Sequence, residues 1–289
     1  MEQDDLLELD LSKQGGNEPH RFKIAPITEE MLEEARIHYL ELLRTDPNNF
    51  AHWAPCVNEV VERYGVRFPK SVTIEVDPEV IDGFGNVDMG GDSIVDQWFD
   101  QTVVPVIRDL EFPLFVKNGC FSNKFDFSNS CFLSVFDRDR ILRQLKNIQS
   151  ESFCLDTFGN NLLVFRQWIA PTAGTPTIYN GMPLRPELRV FYDFDTHALL
   201  YDVNYWDWDY CHDRICEDEA DKVVYEGYYP SLVHLLAERK ERYMPMITEA
   251  LSNVTGLEGI WSVDFLLEED DVWLIDMAIG ERSAYWRPQ

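Results

Sequence analysis

Positive charge is scarce in this chain. Its 289 residues hold 25 Lys and Arg against 52 Asp and Glu, a formal net charge of −27, and only 8 of the bases are Lys. A general nucleic-acid binder neutralises phosphates with clustered Lys and Arg, so that class of partner is excluded. An anionic membrane surface is excluded on the same ground. Long apolar runs are also lacking: no stretch of about 18 uninterrupted apolar residues exists, so no membrane-spanning helix is expected. The opening MEQDDLLELDLSKQGG has no basic segment leading into an apolar one, which predicts no secretory signal. Cysteine is sparse and scattered (Cys56, Cys120, Cys131, Cys154, Cys211 and Cys216) in a chain large enough to fold without staples. These six read as reduced thiols of a cytoplasmic protein. Aromatic residues are not scarce: at 13% of the chain they show that the acidity belongs to a folding chain with core material.

Familiar site motifs are missing too. There is no G-x-x-x-x-G-K-[ST] phosphate loop. Gly83 and Gly85 begin a G-x-G, but Asp88 stands where the third glycine of a dinucleotide fingerprint belongs. H-E-x-x-H, G-x-S-x-G and the kinase H-R-D set are absent. Cys211, His212 and Cys216 are metal-ligating types, but two cysteines with four residues between them and no second pair do not make a zinc signature. The run Trp206 to Asp221 (WDWDYCHDRICEDEAD) reads as a solvated loop or edge, with its aromatics as a possible interaction patch.

What is present has a clear order. Residues 1–20 are polar and acidic. Thr28 to Leu43 predicts an amphipathic helix capped by Thr28. Residues 71–100 hold eight acids and no base around the turn-rich DGFGNVDMGGD. A helix is expected over Ser93–Leu110, limited by Pro105. Strands are expected at Leu114–Lys117, Leu162–Ile169, Leu188–Asp195, Ala198–Tyr205, Ile260–Leu266 and Val272–Met277. Helices are expected at Arg138–Ile148 and at Pro230–Leu251, the latter interrupted near Pro245. Strand runs broken by helices predict an α+β fold rather than a doubly wound parallel sheet. The expected division is an acidic N-terminal α/β region, 1–100, serving as substrate or lid region, followed by a domain over 101–289.

Three features carry chemistry. In WSVDFLLEEDDVWLIDMAIG a turn centred on Asp270 would set Asp264 and Asp276 directly opposite each other in a hairpin. Like charges so placed destabilise a strand pair, so they need a cation, a shared proton or a base between them. Mg2+, held by carboxylates together with nucleotide phosphates, is one such cation. A one-residue slip would instead turn one Asp to solvent. In FPLFVKNGCFSNKFDF, Lys117 ends a strand and Lys124 follows a loop containing Gly119; lysines and free backbone N–H groups there suit phosphate oxygens. In VFRQWI and LRPELRVF, Arg166 lies within an aromatic strand, while Arg185, Glu187 and Arg189 alternate on one face. The bland reading is a Glu187–Arg pair on a solvated face. The functional one has Arg166 and Arg189 meeting phosphate or a carboxylate substrate.

In this order the residues resemble the ATP-grasp superfamily, and most closely its phage and bacterial clade named for two arginines and a lysine. The resemblance covers about residues 110–289, motif by motif. It implies an ATP-grasp-like domain of antiparallel sheets with flanking helices, using ATP and Mg2+ as cofactors. Lys117 would contact the phosphates, with Lys124 supplying a second contact and a catalytic role beside Arg189. Gln167, Trp168 and Ile169, in the hinge Gln167–Ala170, would read adenine, with Arg166 and Glu187 lining the nucleotide. Asp264 and Asp276 would ligate Mg2+. The family's Asn two residues after the last acid is Ala278 here, which removes one ligand; Glu281 and Ser283 are the nearby replacements. The implied activity is a carboxylate–amine ligase of the peptide type working through an acyl phosphate. The implied substrate is a small molecule or peptide with a carboxylate. The alternative is an ATP-binding protein that does not ligate and acts on a protein partner, as an assembly factor or an immunity-type protein.

Overall fold

The computed structural model describes residues 7–10, 21–24, 28–85, 91–154 and 161–288. Most of the 1–20 segment and the centre of DGFGNVDMGGD, 86–90, lie outside these. By packing, the chain divides into two units, Met1–Leu42 and Leu43–Gln289. The first holds an antiparallel pair, β1 (Leu7–Asp10) with β2 (Arg21–Ile24), and the start of α1 (Glu29–Thr45). Thr28 caps α1 as expected, its Oγ1 accepting from the Met31 amide at 3.2 Å.

The second unit opens with α2 (Phe50–Arg63), β3 (Ser71–Glu75) and α3 (Pro78–Gly85). The run predicted as one helix over Ser93–Leu110 is α4 (Gly91–Trp98), a π turn at Phe99–Val103 and α5 (Val104–Ile107). Pro105, which has no N–H to donate, sits in the first turn of α5, where none is required. Then come β4 (Leu114–Asn118), α6 (Phe127–Ser130), β5 (Phe132–Leu133), α7 (Arg138–Cys154) and β6 (Leu162–Gln167). Two short strands, β7 (Thr177–Ile178) and β8 (Met182–Pro183), precede β9 (Glu187–Asp193) and β10 (Ala198–Asn204). The chain closes with α8 (Trp208–Ile215), α9 (Glu219–Ser252), β11 (Ile260–Leu267) and β12 (Val272–Ile279).

Two four-stranded sheets organise this unit, ordered β3-β6-β4-β5 and β10-β9-β11-β12, with every pairing antiparallel. Helices alternate with antiparallel sheets, so the fold is α+β as predicted. No helix among the described residues is long and apolar enough to cross a membrane. All six expected strands form. Three elements of the second unit that the sequence reading passed over, α2, β3 and α3, lie before residue 100. β3 pairs with β6 from Ser71↔Arg166 to Glu75↔Leu162, so this part of the N-terminal hundred residues is built into the first sheet.

The larger core lies where Phe50, Trp53 and Val57 of α2 and Tyr243 and Ile247 of α9 cover the second sheet. Val263 and Phe265 are fully buried there; each such side chain is worth about 1.5–3 kcal/mol of transfer free energy. Two expectations fail in this region. α9 is continuous through Pro230 and Pro245 instead of breaking near Pro245. The stretch Trp206–Asp221 is mainly α8 and the start of α9 rather than a loop, with Trp206 buried against Tyr225 and Ile215.

Asn49 ties α2 to the residue before β6. Its Oδ1 accepts from the Ala51 amide at 3.1 Å as the N-cap of α2, and its Nδ2 donates to Asn161 at 2.9 Å. Gly119 lies so close that a Cβ there would meet the Asn49 Oδ1 at 2.7 Å, which explains the glycine without any ligand. Replacing Asn49 with Ala removes the cap and buried hydrogen bonds together, with an expected loss of about 1–2 kcal/mol. A shift in the urea unfolding midpoint at unchanged slope would measure it; an unshifted midpoint would refute the role.

Candidate functional site

Lys117 is the next-to-last residue of β4 and is buried, pointing from the first sheet toward the second. Its Nζ donates to both Asp276 carboxylate oxygens, at 2.8 and 3.0 Å. Two more polar contacts join the sheets: Lys124 Nζ reaches Glu187 Oε1 at 3.4 Å, and the Arg166 guanidinium donates to the Ile275 carbonyl. Between the sheets lies a narrow cleft of about 60 Å³. Phe115, Phe127, Trp168 and Met182 are among its apolar walls.

Eight of the residues singled out from sequence line this cleft: Lys117, Lys124, Arg166, Gln167, Trp168, Ile169, Glu187 and Asp276. Arg189 and Asp264 line an adjoining polar cleft of about 320 Å³ instead, and Asp276 borders both. Asp264 and Asp276 are register partners, but a turn centred on Asp270 is not the cause. Near the turn the register pairs Phe265 with Leu274 and Leu267 with Val272, which would put Ile275 opposite Asp264. A bulge leaves Ile275 unpaired and advances the partner to Asp276. The carbonyl freed at Ile275 is the one Arg166 binds.

Neither acid needs a metal to be neutralised. Arg189 grips Asp264 with two bonds of 2.7 Å, from Nε and Nη2, in the bidentate geometry that suits a guanidinium. Burial lowers the Arg189 pKa, but the Asp264 charge and hydrogen bonds raise it more, and the net shift is upward. For Asp276, burial favours the neutral acid, yet Lys117, Lys124 and Arg166 outweigh it and hold the carboxyl below the usual range. Burial opposes the charge on Lys124, and Glu187, Tyr205, Asp264 and Asp276 together more than restore it. Glu187 shifts upward because burial exceeds the pull of Lys124 and its neighbours. The bland reading of Glu187 on a solvated face is therefore overturned, since the residue is 1% exposed.

The loop after Lys117 also departs from expectation. The Gly119 N–H donates to the Leu162 carbonyl, and the Cys120 and Phe121 amides both donate to Asn118 Oδ1. Two of these N–H groups close the loop on Asn118 and the third ties it to β6, so none of the three is free for a phosphate oxygen. In the hinge, the Gln167 amide is committed to the Lys70 carbonyl and the Ile169 carbonyl accepts from Arg185 at 2.7 Å. Arg185 also lies over the Trp168 ring, 5.3 Å from its centroid.

Arg185, Asp46 and Asn48 were missed as site residues. Arg185 had a signal, the alternation with Glu187 and Arg189. Asn48 and Asp46 had none, because nothing local brings residue 48 to a strand more than 200 residues away; its Oδ1 accepts from the Ile279 amide at 2.7 Å. Asn48 and Ala278 line the same polar cleft, whereas Ser283 is bound to Ser262 at 2.6 Å. Cys120, also in that cleft, is pushed up to about 12, chiefly by burial, and is a protonated thiol rather than a nucleophile.

The buried guanidinium nitrogens Arg166 Nη2 and Arg185 Nε have no hydrogen-bond partner among the described residues. Both arginines line the apolar cleft. Buried donors without acceptors are costly, so two in one cleft mark it as a place for an acceptor-rich ligand.

No protein-family model and no curated protein matches the chain. Among solved structures it is similar to C-terminally truncated Cdc123 from Schizosaccharomyces pombe, at 13% identity over 86% of this chain and 88% of that one, with a TM-score of 0.49. D-alanine–D-alanine ligase from Bacillus anthracis complexed with ATP is 12% identical over 76% of this chain and 50% of that one, TM-score 0.31. A RimK domain ATP-grasp protein from Sphaerobacter thermophilus is 11% identical over 76% and 55%, TM-score 0.29. Likenesses of this depth establish neither family nor activity, and the functional reading rests on the chain's own residues.

Two outcomes follow from the ion pairs. Asp264→Ala strands the Arg189 charge in the interior and is expected to cost about 3–5 kcal/mol, whereas a joint Arg189→Met, Asp264→Leu change regains most of it. Urea unfolding of the three proteins checks this, and equal losses in the single and double variants would contradict it. Asp276 has a depressed folded-state pKa, so its contribution is complete above the unfolded value, about 3.9, and disappears as pH falls through the lower folded one. The stability gap between the native chain and Asp276→Asn should therefore narrow as pH drops below about 4. A gap that widens would reverse the assignment.

Proposed function

We propose that the cleft between the two sheets binds Mg2+-ATP and that the protein is a carboxylate–amine ligase. The observation that carries this reading is the meeting of Lys117, Lys124, Arg166 and Arg185 in one largely apolar cleft, with two guanidinium nitrogens still lacking acceptors. The chain's own residues fit the nucleotide. Trp168, Phe115, Phe127 and Met182 offer a flat apolar slot for a base, and the four cations face the charge of a triphosphate. Asp264 and Asp276 supply oxygen donors of the kind Mg2+ prefers, and two carboxylates suffice when phosphates complete the shell. Asn48 brings a side-chain amide into the polar cleft that Ala278 leaves without one.

Bound, Mg2+-ATP supplies the phosphoryl group that turns a carboxylate into an acyl phosphate. Lys124 and Arg189 are placed to offset the negative charge that spreads over that group in transfer. The ion pairs Lys124–Glu187 and Arg189–Asp264 hold these cations in position beforehand, so little reorganisation is needed. The substrate carboxylate belongs in the polar cleft, where Arg189 and Arg282 lie.

A second reading is favoured by one feature of the same site. Each acid is already engaged by its own base, and Ala278 offers no ligand, an arrangement suited to holding nucleotide without turning it over. The protein would then act through contacts with a protein partner.

Thermal melting separates these from a chain that binds no nucleotide. Ligand at about 100-fold above its Kd stabilises by about 2.7 kcal/mol, so the native chain should melt higher with Mg2+-ATP, and Lys117→Ala and Asp276→Asn should lose that shift. Equal melting in all conditions would sink both readings. ADP release stimulated by an amino-acid or peptide pool supports the ligase; binding without turnover supports the second reading.

A further inference from the structure

The nucleotide cleft leaves one group of potential ligands unused, and the structure selects a different set from the Cys211, His212, Cys216 trio of the sequence. Cys211 is turned inward, its Sγ 3.4 Å from the Tyr205 carbonyl and 3.3 Å from the Tyr285 hydroxyl. His212 and Cys216 are four residues apart, on α8 and its C-terminal cap, and so share one helical face. Glu226, early in α9, comes to the same face. Ligand atoms of His212, Cys216 and Glu226 all lie within 4.8 Å of one another.

We propose that His212, Cys216 and Glu226 form a three-ligand site for a divalent transition ion of the zinc class, with the fourth position open to water. This rests on nothing in the nucleotide reading. One thiolate, one imidazole and one carboxylate make a donor set that suits zinc and excludes Mg2+ and Ca2+, which prefer oxygen alone. The imidazole is prepared on three sides. Its Nε2 is 2.9 Å from Glu226 Oε1, and its Nδ1 is 3.3 Å from Asp213 Oδ1. Trp208 stacks on the ring at 4.3 Å, fixing its plane. A carboxylate on the far nitrogen is the usual means of orienting a zinc-bound histidine. A His–Glu ion pair alone would need neither the thiol at the same point nor that third group.

The proton balance is simple. Ion binding replaces the thiol proton and any proton on the imidazole nitrogen that faces the ion, each released to water. The neighbouring acids Asp213, Glu217, Asp218 and Glu219 favour cation entry, with Lys222 the one base among Asp213 to Lys222 besides Arg214.

The site would fasten α8 to α9. α8 carries Tyr210, Cys211 and Arg214, which line a cavity that also holds Arg189, Asp264 and Asp276. An ion bridging the helices would therefore hold one wall of the space beside the proposed phosphoryl-transfer centre.

Cobalt titration of the full, chelator-stripped chain tests this, because a thiolate bound to Co2+ gives a near-ultraviolet charge-transfer band. One equivalent should produce the band, and Zn2+ should abolish it. Cys216→Ser and His212→Ala should lose the band and Glu226→Gln should weaken cobalt binding at least about tenfold. Cys211→Ser and Asp276→Asn should keep it. No band in the native chain, or a band lost in Cys211→Ser and kept in Cys216→Ser, would overturn the site.

Discussion

Lys117 carries a full positive charge to the end of a β-strand where almost none of its surface meets water, and Asp276 makes that tolerable. A lone ammonium so placed would be neutralised or expelled, because desolvating it costs several kcal/mol. The partner must reach across from the other sheet, so the pair also sets how the two sheets face each other. The rest of the site depends on this contact. Arg166 is drawn to the bulge carbonyl beside Asp276, Lys124 to Glu187, and Arg189 to Asp264. Each cation has a named acceptor, and the cleft is what remains between them.

The acidity of the chain looks different from inside this lattice. Most of the acids among the described residues lie at the surface, where such charge repels polyanions. Glu187, Asp264 and Asp276 position Lys124, Arg189 and Lys117. Because bases are few, nearly every one near the cleft is engaged, and the unpartnered Arg166 and Arg185 nitrogens are conspicuous for that reason. A ligand rich in acceptors would complete a network that the protein leaves open at two points.

The β-bulge at Ile275 shows how one residue of backbone irregularity produces the arrangement. Without it Asp264 would oppose an aliphatic side chain, and Asp276 would fall on the other face of the hairpin. With it two acids share a face, each turned to a different base. The same bulge frees the carbonyl that Arg166 uses, so a single insertion serves three charged residues.

Strand positions, the α+β class and the importance of the few bases were legible in the amino-acid order, because period-two apolar patterns and charges inside them are local signals. Lys117, Arg189, Asp264 and Asp276 stand out in the sequence for that reason. Their partners do not. Which acid meets which base depends on sheet order and on a bulge that alternation cannot reveal. The roles of Asn48 and Asn49 depend on α2 packing beside strands far along the chain. Gly119 read as a phosphate loop and proved to be a close approach to Asn49. His212 and Cys216 could be seen as neighbours on a helix, but only folding brings Glu226 to them and turns Cys211 away. Which groups carry charge and where strands run follow from amino-acid order. The tertiary structure alone decided the pairing, because burial forces each charge to find a partner and long-range packing determines which one is within reach.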